Sequence, residues 1–465
     1  MAFQQALSGL NAAAKNLDVI GNNVANVNTI GFKSSRAEFA DVFASTVAGS
    51  ITNTQAGIGV RVANISQNFS QGGISVTDRP LDVAINGEGF FRMDDNGSIS
   101  YSRNGQFKAD SDGYLVNSTN GLRLTGYGVD NNGNVLSSAP VPLRLTVDTI
   151  APRVTARAEQ GVNLDSRATP IATTTAPTND TPIPVTPKPF DPQDTSTFTK
   201  ATSMTVFDSL GNSHVMTTYY RKLQENAALV DGNVQYSGEV KWEVYAAVDG
   251  KVTVGDPPAS AVGSDSTTAD DATGLIGVLT FDSLGKPKLA DTGADFQPTL
   301  TIKGVDTPAD DVLNNGAADL VFDFDMRDTT QYGQIFGVNV QDQDGYTSGE
   351  LTGYSISADG VVLARYSNTE TRAQGQIILT TFKSPQGLAN LGNNLWAETA
   401  NSGGPRVGEP GSSNIGDLAS GQLEEANIDL TSELVNMITA QRAYQANSQT
   451  IKTQDSIMQT LVNLR

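Results

Sequence analysis

A chain of 465 residues has room for about three domains, and a formal charge of -20, from 30 Lys and Arg against 50 Asp and Glu, argues against nucleic acid or an anionic membrane surface as partner. The absence of Cys excludes disulfides and thiolate metal sites. No run of about 18 apolar residues is present, so no membrane insertion is expected.

The charge is uneven: residues 1–45 are neutral and residues 424–465 carry -2, which leaves -18 between them. Segments meant to pack closely against one another should be close to neutral, as both ends are. The opening run "MAFQQALSGLNAAAKNL" lacks a basic n-region and a continuous apolar h-region, so no cleaved secretory signal is expected. Phe3, Leu7, Leu10, Ala14, Leu17, Gly21 and Val24 follow alternating steps of four and three, which predicts a helix with a heptad stripe. "IGNNVANVNTIGFK" at 20–33 then adds four asparagines, poor helix formers whose amides compete for backbone groups.

From 86 to 133 the period changes. Asn86-Gly87, Asn96-Gly97, Asn104-Gly105, Asp112-Gly113, Asn120-Gly121 and Asn132-Gly133 predict consecutive hairpins of an antiparallel β domain. "GFFRM", "SISYSR", "GQFKA" and "LRLTGY" are its strand candidates. Residues 169–199 hold seven of the 19 prolines and ten threonines, an extended stretch unsuited to a central strand. The pentad Phe-Asp-Ser-Leu-Gly recurs at 207–211 and 281–285, which suggests two similar hairpins of one β domain. "VGDPPASAVGSDSTTADDATG" reads as a polar surface loop, and alternation resumes at "GELTGYSISADGVVLARYSN".

At the far end, Leu430, Leu434, Met437, Tyr444, Ile451 and Met458 continue a heptad spacing, with Gln441, Ser448 and Asp455 at the alternate position. This predicts a helix over 429–464, roughly 54 Å long at about 1.5 Å per residue. The two neutral helices suit a coiled coil joining the termini and continued between subunits.

Candidate chemistry is sparse. His214 is the single histidine, in a strand-like stretch beside a turn, and a structural or surface role suits it best. "DQDGYTSGE" and "DSDGYL" fail as calcium loops, because their first and twelfth positions lack carboxylates. "NGEGFF" lacks the third glycine of a dinucleotide loop. No catalytic residue, cofactor or metal ligand is assigned, and nothing argues for an enzyme.

"ALSGLNAAAKNLDVIGNNVANVNTIGFKSSRAEF" closely resembles the N-terminal signature of bacterial flagellar rod and hook proteins. "DRPLDVAINGEGFFRM" and "YSRNGQFKADSDGYLVNSTNGLRLTGY" resemble the first β segments of the hook and distal-rod branch. "EEANIDLTSELVNMITAQRAYQANSQTIKTQDSIMQTLVNLR" is similar to the family's C-terminal helix. An insertion of about two hundred residues between these matches, absent from distal-rod proteins, points to the hook branch.

The resemblance implies a mainly β, nested chain: a terminal α-helical coiled coil innermost, with antiparallel β domains inserted. The expected division is a helical assembly domain (1–70 and 425–465), an inner β domain (71–145 and 346–424) and an outer β domain (146–345). It also implies an extracellular homopolymer, a flexible helical tube that joins rod to filament and transmits torque. The implied partners are copies of itself, rod and hook–filament junction proteins, a hook cap and the flagellar type III export apparatus. The assembly stripe would comprise Phe3, Leu7, Leu10, Leu17, Val24, Leu430, Leu434, Met437, Tyr444, Ile451 and Met458. Phe39 and Phe43 form a candidate export-recognition pair, with an ordinary pair of loop hydrophobes as the other reading. A distal-rod-like protein and a secreted β-sandwich adhesin or glycan binder are the alternatives.

Overall fold

A computed structural model describes residues 2–463 apart from 43–56, 131–132, 138, 172–182, 185–186, 231–232, 253–273, 289–298, 303–315 and 413. Much of the Pro/Thr-rich stretch and nearly all of the polar loop after Val252 lie outside the described residues. The chain is mostly β, with N- and C-terminal helices packed together. Among the described residues no helix is long and apolar enough to cross a membrane. Residues 1–148, 351–365 and 371–465 form one compact unit, and residues 149–350 with 366–370 form another.

In the first unit, helix α1 (Ala2–Ala25) is followed by a hairpin of β1 (Ser35–Val42) and β2 (Gly59–Gln67). Asn26 stops the helix by folding its side chain back, donating from Nδ2 to the Asn22 carbonyl at 2.9 Å. The final helix, α2 (Leu430–Asn463), is capped by Asp429, whose Oδ1 accepts from the Thr431 amide at 2.9 Å. Between them lies a β body whose central sheet interleaves both halves of the chain. Thr371–Ile377, Arg123–Tyr127, Phe90–Asp95, Ser98–Ser102 and Leu395–Ala397 lie side by side. Its core holds Ile85, Phe91, Met93, Leu115, Leu124, Val362 and Leu379, all fully buried.

The repeated Asn-Gly and Asp-Gly pairs are not all hairpin turns. Asn96-Gly97 joins Phe90–Asp95 to Ser98–Ser102, with both residues at positive φ (51° and 97°), as a type I′ turn requires. Asp112-Gly113 and Asn120-Gly121 also link paired strands. Asn86-Gly87 does not: Val83–Asn86 pairs with Asp417–Ser420, more than 300 residues away. Asn104-Gly105 instead brings backbone against backbone, since a Cβ on Gly105 would fall 1.7 Å from the Val83 carbonyl oxygen.

The second unit packs two sheets over a core that includes Val162, Leu164, Tyr220, Trp242, Val244, Phe322 and Phe324. The sheet built on the long Ser213–Val230 and Asn233–Val248 hairpin is antiparallel. The other departs from the antiparallel expectation, because Arg157–Asp165 runs parallel to both Leu320–Asp325 and Thr330–Tyr332. Parallel neighbours need a long crossover, and the chain supplies one by building the antiparallel sheet before it returns. Both Phe-Asp-Ser-Leu-Gly pentads make the same turn. Asp208 Oδ1 accepts from the Leu210 and Asn212 amides, and Asp282 Oδ1 from the Leu284 and Lys286 amides.

Candidate assembly surface and the neck that carries it

Helices α1 and α2 pack antiparallel. Gly9 abuts the side chain of Asn447, which a Cβ would meet at 2.9 Å, and Asn23 Nδ2 donates to Glu433 Oε1 at 3.4 Å. These contacts lie two heptads apart on each helix, so one register holds throughout. The seam on α1 consists of Ala6, Gly9, Ala13, Asn16, Ile20 and Asn23, all buried or half-buried. On α2 the least exposed residues are Glu433, Met437, Ala440, Asn447, Ser448, Ile451 and Gln454. Small residues on α1 let the backbones approach closely.

The intramolecular seam runs beside the expected assembly stripe. On α1 the predicted positions from Leu7 onward each lie one residue C-terminal to a seam position, a rotation of about 100°. Phe3 and Leu7 are exposed, and Leu10, Leu17 and Val24 are half-buried. On α2 Met437, Tyr444 and Ile451 lie on the intramolecular seam line, although Tyr444 keeps substantial exposure. The alternate positions are Glu433, Ala440 and Asn447; Leu434 and Gln441 are exposed, and Ser448 is half-buried beside Asn447. Leu434 (44% exposed) therefore faces outward with Val435 (58%) and Ile438 (52%). Leu430 and Met458 are exposed near the two ends of α2, as are Ile457 and Val462. These large apolar side chains stay exposed on helices of neutral character.

The helices are anchored to the β body by a neck that no local sequence pattern announces. Lys33 Nζ donates to Glu424 Oε1 at 2.7 Å and to the Ser70 carbonyl at 2.8 Å. Arg103 donates through one terminal nitrogen to Glu424 Oε2 at 3.1 Å and through the other to the Gly87 carbonyl at 2.9 Å. The side chains of Lys33 and Glu424 are fully buried and that of Arg103 nearly so. Burial holds both cations below their usual pKa values, and the Glu424 charge opposes that effect. Asn427 completes the neck: its Oδ1 accepts from the Ser34 amide at 2.7 Å, and its Nδ2 donates to the Asn68 carbonyl at 2.8 Å.

Gly31 enters the neck at φ +70°, and its amide donates to the Glu424 carbonyl at 2.8 Å. A Cβ there would fall 2.7 Å from backbone atoms of Arg103 and Asn104. Left-handed backbone alone costs a side-chain-bearing residue about 1–3 kcal/mol. Gly31→Ala should exceed that range because backbone, not a flexible side chain, must move. Denaturant unfolding of the purified variant reads the loss.

The other singled-out residues take ordinary places. His214 is buried and bridges Asp249 Oδ2 (2.7 Å) and Asp208 Oδ2 (3.2 Å), so it ties two turns of the second unit together. Phe39 lies on β1 and is partly exposed, whereas Phe43 lies outside the described residues.

Four family matches cover most of the chain. Residues 3–33 match the flagella basal body rod protein family, and 84–171 the flagellar hook protein FlgE/F/G D1 domain. Residues 163–346 match the flagellar basal body protein FlaE D2 domain, and 419–464 the flagellar basal body rod FlgEFG protein C-terminal family. Flagellar hook protein FlgE of Salmonella typhimurium is 40% identical over 469 residues, covering 100% of both chains. The Escherichia coli protein of the same name is 40% identical at the same coverage, and that of Borreliella burgdorferi 30% identical over 100% of this chain and 99% of its own. The crystal structure of Helicobacter pylori flagellar hook protein FlgE2 superposes with a TM-score of 0.49 at 14% identity, covering 75% of this chain and 100% of that one. These full-length matches run through the central insertion as well as both ends, and the chain belongs to the flagellar hook protein FlgE family.

Proposed function

We propose that the chain polymerises through the outward faces of α1 and α2 into the tube of the bacterial flagellar hook, of which it is a structural subunit. The observation that carries this reading is the row of large apolar side chains that the intramolecular seam leaves uncovered. Burial of such side chains is worth about 1.5–3 kcal/mol each when complete, so a few per subunit suffice to drive assembly. Hydroxyls on α2 support the reading. Thr439, Thr450, Thr453, Ser456 and Thr460 each donate to the carbonyl four residues earlier, so neighbouring copies can cover them without orphaning a donor. Subunits that repeat one heterologous contact without closing a ring form an open helix.

In this reading the tube lies outside the cell, meets rod proteins at one end and junction proteins at the other, and grows beneath a cap. Subunits leave through the flagellar export apparatus, and Phe39 with Phe43 serves recognition while the chain is unfolded. The outer unit selects curvature. Hydrated contacts slide at little cost, because surface ion pairs are worth only about 0–1 kcal/mol each. Its ends are clasped, with Ile150 and Gly349 exchanging backbone hydrogen bonds at 3.0 and 3.2 Å, so residues 149–350 can be excised between adjacent points. Electron microscopy of concentrated protein should show curved tubes, and a chain lacking 149–350 should give straighter ones. Equal curvature in both would remove the role assigned to the outer unit; straight tubes from the intact chain would favour a rod-like subunit.

A further inference from the structure

Where the end of α1 meets the β body, the first unit contains a cavity of about 540 Å³ lined without a single Asp, Glu, Lys or Arg. In a chain where 17% of residues are charged, its walls are mainly amides and hydroxyls drawn from three separate pieces of chain. Asn22, Asn26 and Asn28 come from the end of α1 and the turn after it, Asn104 from the loop after Ser98–Ser102, and Asn390 and Asn393 from the hairpin of Ala389–Gly392 with Leu395–Ala397. The walls are joined, because Asn394 Nδ2 donates to the Ile30 carbonyl at 3.0 Å. Asn28 and Asn393 are exposed, and their side chains make no hydrogen bond among the described residues.

We propose that this basin is a second contact between copies of the chain, and that it receives a neutral segment of the neighbouring subunit bearing amides or hydroxyls. The inference rests on the reading of the chain as a polymerising hook subunit. Two copies that each carry -20 repel, and like charges placed opposite one another across an interface cost several kcal/mol. An uncharged basin lets them meet without that cost. An amide both donates and accepts, so a wall of amides matches the main chain or amide side chains of an identical molecule. The basin also continues the proposed assembly face, since Asn22 and Asn26 close the helix whose flank carries Phe3 to Val24. Leu391, 58% exposed at the hairpin tip, stands beside it as an apolar anchor.

Two measurements test this. Asn28→Asp with Asn393→Asp alters neither side chain's size and places charge in the basin of every copy. We expect the critical concentration for tube formation to rise about tenfold, with partial recovery in high salt and an unchanged far-UV spectrum of the monomer. An unchanged critical concentration would overturn the proposal. Because the chain has no Cys, a benzophenone maleimide on Asn393→Cys labels that one position. Irradiated tubes should yield an adduct of twice the subunit mass, absent from dilute monomer. Monomer-mass protein alone, while the same label on Leu434→Cys captures a second copy, would overturn the proposal as well. If the unsubstituted chain forms no tubes, the assembly reading falls and takes this inference with it.

Discussion

Glu424→Gln should loosen both ends of the chain at once. The carboxylate is fully buried between Lys33 and Arg103, and its Oε1 also accepts from the Gly72 amide at 2.9 Å. Removing the one anion leaves two cations facing each other in a low-dielectric site. Loss of one partner from a buried ion pair typically costs about 3–5 kcal/mol, a large share of the stability of any domain. Lys33→Met should cost less, because it leaves a one-to-one pair of Arg103 with Glu424, and the Ser70 carbonyl still receives Asn427 Nδ2 at 3.1 Å. The order of the two variants is the decisive reading; equal losses would mean that the triad acts as packing alone. The pH dependence has a definite sign. Lys33 sits below its ordinary 10.5 when folded, so the unfolded chain binds more protons between the two values and stability rises with pH there. That slope, compared below about pH 9, ahead of tyrosine ionisation, should be smaller in Lys33→Met.

Leu434→Asp with Ile438→Asp should abolish tubes while leaving the subunit folded. Both side chains are about half exposed and stand off the intramolecular seam, so charge there meets water in the monomer. In a polymer that covers them, each unpaired carboxylate must be desolvated at a cost of several kcal/mol. Even about 3 kcal/mol raises a critical concentration roughly a hundredfold. Met437→Asp is the contrast, because Met437 lies on the seam against α1 and its replacement should weaken the helix pair within the monomer too. Helix content by circular dichroism and sedimentation of polymer separate the two effects. Normal tubes from the double variant would show that this face of α2 is not an assembly surface.

The helices were legible because heptad spacing is a local signal. Their packed faces were not. Both helices carry adjacent stripes, and a reading that favours large side chains selects Phe3, Leu7 and Leu434. The seam on α1 uses Ala6, Gly9 and Ala13, whose small size is what draws the helices together. Hairpins such as the one at Asn96-Gly97 were legible for the same local reason. The partnership of Val83–Asn86 with Asp417–Ser420 was not, since nothing near Asn86-Gly87 distinguishes a hairpin turn from a strand end. The neck was invisible too: Lys33, Arg103 and Glu424 look like any three surface charges until the fold buries them. Amphipathic pattern thus came within one step around α1 of the intramolecular seam and gave no sign of what fastens the helices.

The separation of Lys33 from Glu424 by 391 positions sets an order of events in time. A chain made or threaded N-terminus first holds α1 without its anchor until Glu424 arrives. Closing so long a loop is slow, because the entropy of bringing distant ends together is lost before the contact repays it. A chain cut short anywhere before Glu424 would therefore reveal the damage far from the cut, as a first helix and hairpin never fastened to the β body.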